Sequence, residues 1–73
     1  MRERVKAIVG RVLELDPDEL PDDARNEDLP GWDSLRQLEL MLALEAEFEI
    51  RIPARAMLEL TSLPAIEAFV GRS

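Results

Sequence analysis

The apolar residues of this chain recur at helical rather than strand spacing, and this periodicity constrains the fold most strongly. Five of them in the first segment fall at i, i+3, i+4, i+7 and i+8: Val5, Ile8, Val9, Val12 and Leu13. Such spacing places the side chains along one stripe of a helix. We predict a helix from about residue 2 to residue 15. The pair Asp16-Pro17 predicts its end, because a residue before proline is disfavoured in helical geometry.

The segment from residue 16 to residue 33 is predicted to be a long loop. It holds three prolines, six aspartates and two glutamates, a composition that favours turns. A loop of this length inside a compact domain is uncommon and is usually functional or flexible. The end of the loop, where the next helix begins, is therefore the natural place for a functional site.

A second helix is predicted from about residue 34 to residue 49. Ser34 is a good N-cap residue, and Gln37 stands three positions later, where its side chain would complete a capping box. Asp33 is the other candidate for the first residue of this helix. The helix thus begins where the acidic loop ends.

Two more helices complete the predicted chain. Pro53 suits the first turn of a short helix over about residues 53–60, since proline is favoured at helix starts. Thr61 or Ser62 would cap a last helix over about residues 62–71.

The predicted fold class is all-α, a small four-helix bundle with three longer helices, one short helix and a long loop between the first two. A chain of 73 residues makes one domain, expected here over residues 1–73, because a core this small cannot be divided further. The near absence of aromatic residues disfavours a strand-rich fold. The core is assigned to a set of apolar residues from three helices: Val5, Ile8, Val12, Leu40, Leu44, Phe48, Ile66, Phe69 and Val70.

The second helix has two apolar faces when its residues are placed at about 100° per step. The first face is expected in the core: Leu40, Leu44 and Phe48. The second face is well removed from the first: Leu38, Met41 and Leu42. Ser34 and Glu45 lie in line with the second face, and Glu39 lies farther around the helix. Exposed apolar patches with a charged rim mark partner surfaces, whereas neighbours on both sides would bury both faces, and periodicity leaves both alternatives open.

Composition excludes several classes of function. The chain has no histidine and no cysteine, so it has no Ser/His/Asp triad, no thiol nucleophile and no usual zinc site. Its net charge of −7 repels phosphate backbones and anionic membranes and attracts basic protein surfaces. We expect no nucleic-acid or membrane partner. The amphipathic start of the chain differs from a signal peptide or membrane span, and we expect a cytoplasmic location.

The residues around the start of the second helix form a pattern that extends through that helix. It begins with the run Gly31-Trp32-Asp33-Ser34-Leu35. It continues with a spaced set of residues: Leu38, Glu39, Leu40, Leu44, Glu45, Phe48, Ile50, Ile52 and Pro53. Together these residues closely resemble the acyl carrier proteins and the related peptidyl carrier domains, which form a phosphopantetheine-binding family. The resemblance spans essentially the whole chain.

The resemblance implies a covalent cofactor on Ser34, because the serine of the family's Asp-Ser-Leu sequence carries 4′-phosphopantetheine. A separate phosphopantetheinyl transferase, with its own metal ion, would transfer this group from coenzyme A. Asp33 would cap the helix, help to place metal and cofactor in the transferase complex, or do both. The chain itself would contain no catalytic residue and no metal ligand, and it would be a carrier protein rather than an enzyme.

The resemblance also implies partners. The thiol of the arm would hold an acyl or aminoacyl group as a thioester for acyl-loading and acyl-transferring enzymes of fatty acid, polyketide or nonribosomal peptide biosynthesis. The sequence around Ser34 is more similar to carriers that act as separate small proteins in specialised pathways, and we expect a monomer. Enzymes would dock on an apolar pad and be steered by acidic residues: Leu35, Leu38, Met41 and Leu42 for the pad, and Glu39 and Glu45 for steering.

Three alternatives stay open beside this interpretation. The aspartates of the loop suggest a cation site, although Leu20 and Pro21 stand where a third oxygen ligand and a turn glycine are needed. The second helix would also suit an unmodified helical adaptor that binds other proteins. Trp32 would either pack beneath the loop, which we favour, or contact the arm or a partner.

Overall fold

The chain is described by a computed structural model over residues 2–72. Four α-helices follow one another along the described residues: α1 (Arg2–Leu13), α2 (Ser34–Phe48), α3 (Ala54–Glu59) and α4 (Leu63–Arg72). The connection between α1 and α2 contains two single-turn 3₁₀ helices: Pro17–Glu19 and Asn26–Asp28. The predicted all-α bundle of three longer helices and one short helix is confirmed. Between residues 2 and 72, no helix has both the length and the apolar character needed to cross a membrane.

Helices α1, α2 and α4 supply the hydrophobic core. Its most completely buried large side chains come from these three helices: Val5, Val9, Leu40, Met41, Leu44, Leu63 and Ile66. Three residues of the predicted core set are only partly buried at its edge: Val12, Phe48 and Phe69. The guanidinium of Arg4 lies 4.4 Å from the centre of the Phe48 ring, a distance suited to a cation–π interaction. The Arg4 side chain of α1 therefore covers part of this edge of the core.

Helix α1 ends at Leu13, two residues before the predicted boundary. Glu14 adopts a left-handed backbone conformation with φ 59°, and the Leu15 N–H donates to the Gly10 carbonyl at 2.8 Å. This is the hydrogen bond of a Schellman turn. The turn ends the helix before the Asp16-Pro17 pair that was predicted to end it. Gly10 is needed here because a Cβ at that position would lie 2.7 Å from the Leu15 oxygen.

Helix α2 ends with the same kind of turn. Glu49 has φ 53°, and the Ile50 N–H donates to the Glu45 carbonyl at 3.1 Å. The Glu45 side chain then accepts a hydrogen bond of 2.8 Å from the Ile52 N–H. These contacts fix the direction in which the chain leaves α2 and enters α3.

The long connection between α1 and α2 is packed onto the bundle. Its three buried residues are spread along it: Leu20, Ala24 and Trp32. Two backbone hydrogen bonds pair it with the α3–α4 connection: Asn26 N–H donates to the Thr61 carbonyl at 2.8 Å, and Leu63 N–H donates to the Ala24 carbonyl at 2.9 Å. The connection therefore borders both the start of α2 and the end of α3.

One acidic residue of this connection is paired with α1. The Lys6 ammonium donates a hydrogen bond to Asp22, and the Arg2 guanidinium lies 3.4 Å from the same carboxylate. The hydrogen bond and positive charge of Lys6, followed by the charge of Arg2, lower the pKa of Asp22 from its ordinary value. Part of the acidic loop is thus neutralised by the helix it follows.

Candidate functional site

Ser34 is the first residue of α2, and its position follows from the residue before it. Asp33 is the N-cap: its backbone is extended, and its Oδ1 accepts a hydrogen bond of 2.9 Å from the Arg36 N–H. The Asp33 carbonyl accepts the first helical bond, from the Gln37 N–H at 2.8 Å. The predicted capping box of Ser34 and Gln37 is therefore wrong, because the carboxylate one position earlier already reaches the helix N–H groups.

The Ser34 hydroxyl is exposed at the tip of the helix. Within residues 2–72 it makes no hydrogen bond, and the backbone N–H groups of Ser34 and Leu35 likewise have no partner. Unpaired N–H groups and the helix dipole make a helix start favourable for an anion, by about 0.3–1 kcal/mol when it is exposed. The geometry therefore leaves the hydroxyl accessible and would stabilise a negative group attached to it.

The other hydroxyl groups of the chain are less suitable for attachment. The sequence contains four residues with an aliphatic hydroxyl: Ser34, Thr61, Ser62 and Ser73. The Ser62 Oγ accepts a hydrogen bond of 3.2 Å from the Ala65 N–H and caps α4, as predicted for Thr61 or Ser62. Thr61 is half-buried, and Ser73 lies outside the described residues. Ser34 combines exposure with an unpaired hydroxyl at the start of a long helix.

A chain of side-chain hydrogen bonds links the loop, α2 and α3 beside Ser34. The Trp32 indole Nε1–H donates to Gln37 Oε1 at 2.6 Å. The Gln37 Nε2 group donates to the carbonyls of Met57 at 2.7 Å and Leu60 at 2.9 Å. Trp32 is only 4 % exposed, which agrees with the packing role we favoured for it.

Two clefts meet at Ser34. The first, of about 360 Å³, lies towards the loop and is lined by one set of residues: Asn26, Trp32, Asp33, Ser34, Gln37, Leu58 and Thr61. The second, of about 270 Å³, lies between α2 and α3 and is lined mainly by apolar residues: Ser34, Gln37, Leu38, Met41, Ala54, Met57 and Leu58. Ser34, Gln37 and Leu58 are common to both, so the hydroxyl lies where the two clefts join.

The apolar pad predicted on α2 is divided by the structure. Leu35, Leu38 and Leu42 are exposed, whereas Met41 is 0 % exposed. The expectation that Met41 belongs to an exposed surface is wrong, because it lies on the edge of the core face and α3 residues line the same cleft. Neither complete burial nor complete exposure of this face describes the molecule.

The predicted acidic rim is also altered by contacts within the molecule. Glu39 is exposed, but its Oε1 accepts a hydrogen bond of 3.1 Å from Arg36 Nη1. Arg36 also donates to the Glu14 carboxylate at 3.2 Å and to the Val12 carbonyl at 3.3 Å. Glu45 is half-buried, and its carboxylate accepts a hydrogen bond from the Ile52 N–H. Glu39 thus has a neutralising neighbour, and Glu45 serves the α2–α3 connection.

Leu58 was missed by the sequence analysis, although the sequence contains a signal for it. It is the most exposed large apolar residue of the described chain, at 81 %. At about 100° per residue, Ala56 and Met57 of α3 and Leu60 directly after it fall on one side, and they are the residues that face the bundle. Leu58 falls on the opposite side, so its exposure could have been read from the spacing.

The acidic loop does not assemble a cation site in the described structure. Over residues 2–72, no group of three or more acidic side chains is placed to hold a metal ion. Asp22 forms ion pairs with Lys6 and Arg2. Asp16 caps the 3₁₀ helix that follows it, because its Oδ1 accepts a hydrogen bond from the Asp18 N–H. These acids have local structural partners.

Comparison with known families gives a match over almost the whole chain. The sequence model of a family described as "Phosphopantetheine attachment site" matches residues 3–70. The matched region contains all of α2 and α3, most of α1 and α4, and all the residues around Ser34. The match therefore concerns the same structural unit that carries the exposed hydroxyl.

Proposed function

Because the chain belongs to the phosphopantetheine attachment site family, whose members are carrier proteins rather than catalysts, we propose that Ser34 is the attachment residue. The 4′-phosphopantetheine arm is covalent in this family. We further propose that the arm carries acyl or aminoacyl intermediates for biosynthetic enzymes.

The unpaired Ser34 hydroxyl at the start of α2 carries this proposal. Its neighbours suit a phosphodiester, since the free N–H groups of Ser34 and Leu35 can face the anion and the helix dipole favours it. Asp33 contributes by capping the helix through its contact with the Arg36 N–H, which holds the hydroxyl at the tip. The residues present therefore fit the group.

The proposed modification is a transfer of one phosphoryl-linked group to the serine oxygen. Ser34 Oγ attacks the pantetheine-side phosphorus of coenzyme A, bound on a separate phosphopantetheinyl transferase. An O–P bond forms, the P–O bond to the other phosphate breaks, and adenosine 3′,5′-bisphosphate leaves. The serine proton passes to a base of the transferase or to water. The chain supplies only the hydroxyl and its orientation, and the attached group supplies a terminal thiol that holds an acyl group as a thioester.

The surface beside Ser34 suits docking of those enzymes. Leu35, Leu38 and Leu42 on α2 and Leu58 on α3 are exposed, and apolar side chains of this kind form the centre of protein interfaces. The remaining acidic steering would come from Glu39, weakened by its contact with Arg36. We therefore propose that partners recognise the site mainly through its exposed leucines.

Intact-mass spectrometry tests the proposal. The wild-type chain is incubated with coenzyme A and a broad-specificity transferase, in parallel with Ser34→Ala and Ser62→Ala. We expect the wild type and Ser62→Ala to gain the mass of one phosphopantetheinyl group, and Ser34→Ala to gain nothing. Ser62→Ala is the matched control because its hydroxyl caps α4. A wild-type chain that stays unmodified would instead favour the unmodified adaptor.

A further inference from the structure

Helix α3 combines partial apolar packing of Ala56 and Met57 against the core with polar contacts at its last turn. None of its six residues is fully buried, and only Ala56 and Met57 are half-buried. Its last turn nevertheless has a fixed connection to α2, because the Gln37 amide donates to the Met57 and Leu60 carbonyls. These two bonds occupy carbonyls that a helix end leaves without partners.

The Gln37 side chain has its hydrogen-bonding capacity matched by its surroundings. Its oxygen accepts from the Trp32 indole, and the two hydrogens of its nitrogen go to the two α3 carbonyls. Glutamate has no donor for the carbonyls, and asparagine is one methylene shorter. The position therefore requires glutamine if the loop, α2 and α3 are to be joined through one side chain.

The two carbonyls that Gln37 binds lie on either side of Leu58 in the sequence. Leu58 is 81 % exposed and shares both clefts with Ser34 and Gln37. An exposed apolar side chain is not held in place by burial. Its location therefore depends on the contacts of the backbone around it. In this fold, Gln37 donates two hydrogen bonds to that backbone.

We propose that Gln37 is a positioning residue that holds Leu58 beside Ser34, so that a transferase binding at Ser34 meets both as one surface. Trp32 supports it by fixing the amide oxygen. This inference rests on the proposed function, since it concerns recognition of the same attachment site. Gln37 acts through α3: its side-chain hydrogen bonds go to Trp32, Met57 and Leu60, and none goes to Ser34.

Steady-state kinetics of the transferase provides the test, with the unmodified chain as the varied substrate. Gln37→Glu replaces the two donors with an oxygen that faces two carbonyls, and Leu58→Ser removes the apolar contact. We expect each variant to raise KM about fivefold with kcat within about twofold of wild type, the pattern of a lost docking contact. Because both substitutions act on one contact, the KM of the double variant should be no higher than about that of the single variant with the larger effect.

A second variant approaches the same link from its other end. Trp32→Phe keeps an aromatic ring in the packed position but removes the indole donor to Gln37. We expect a smaller rise in KM, about twofold, that also disappears in the presence of Leu58→Ser. Glu59→Gln, on the exposed side of α3 and without an ion pair among residues 2–72, is the control and should leave KM unchanged.

Circular dichroism first establishes the temperature at which every variant is folded, and the kinetics are measured there. If Gln37→Glu does not fold at any temperature, Trp32→Phe alone decides the outcome. Folded variants with unchanged KM, or effects that add fully to Leu58→Ser, would overturn the proposal. A wild-type chain that the transferase never modifies would instead refute the proposed function, so the two failures are distinguishable.

Discussion

Helices α3 and α4 follow one another in the chain but join the bundle in different ways. Helix α4 buries Leu63, Ile66 and Val70, whereas α3 buries no residue completely and exposes Leu58. Apolar burial therefore fixes α4, whereas α3 has only partly buried apolar residues and receives two hydrogen bonds from the Gln37 side chain. The bundle combines a rigid frame of α1, α2 and α4 with a lightly held edge, and Ser34 lies at the boundary between them.

Equivalent substitutions in the two helices give the largest expected contrast. Leu63→Ala removes a side chain that is 0 % exposed, and loss of such a leucine costs about 2–5 kcal/mol of unfolding free energy. Leu58→Ala removes an exposed side chain and should change it by less than about 0.5 kcal/mol. Urea unfolding of both variants measures the difference. Similar losses at the two positions would show that α3 is packed as firmly as α4.

A glycine pair tests whether the end of α1 belongs to the rigid frame. Gly10→Ala places a Cβ 2.7 Å from the backbone oxygen of Leu15, so the turn that ends α1 must shift, at about 1–3 kcal/mol. Gly71→Ala, in α4, meets nothing within 4 Å and should be neutral or stabilise by up to about 1 kcal/mol. Thermal and urea unfolding compare them. A neutral Gly10→Ala would mean that the helix end adjusts easily.

Much of the frame could be predicted from the sequence because apolar spacing reports burial directly. The spacing in α1 and α2 located Val5, Ile8, Leu40 and Leu44 in the core. Capping residues placed a helix start at Asp33-Ser34, since capping chemistry is local, although the cap is Asp33 rather than the pair Ser34 and Gln37.

The lightly held edge was predictable only in part, because it depends on contacts between distant segments. Gln37 was assigned to a cap, but it bonds Met57 and Leu60, which lie far along the chain. Met41 was assigned to the surface, and α3 completes its burial. The end of α1 was predicted two residues too far along the chain, because the left-handed position of its final turn is Glu14 rather than the glycine usual there.

The smallest predicted effect concerns a polar contact between the α1–α2 connection and α1. The pKa of Asp22 is lowered by Lys6 and Arg2, so the unfolded chain binds more protons at this group than the folded chain does. The stabilisation is present above the unfolded pKa, about 3.9, and is lost as pH falls through the folded pKa. Asp22→Asn should therefore weaken the pH dependence of the unfolding free energy in acid. An unchanged slope would show that this pair adds no measurable stability to the frame.

Peptide mapping of the modified protein tests the central claim most directly. Trypsin cleavage after Arg25 and Arg36 releases residues 26–36, in which Ser34 is the only residue with a hydroxyl group, whereas Thr61 and Ser62 fall in residues 56–72. After reaction with coenzyme A and the transferase, we predict that the phosphopantetheinyl mass is found on residues 26–36 and nowhere else. Its appearance on residues 56–72 or on Ser73 would contradict the account.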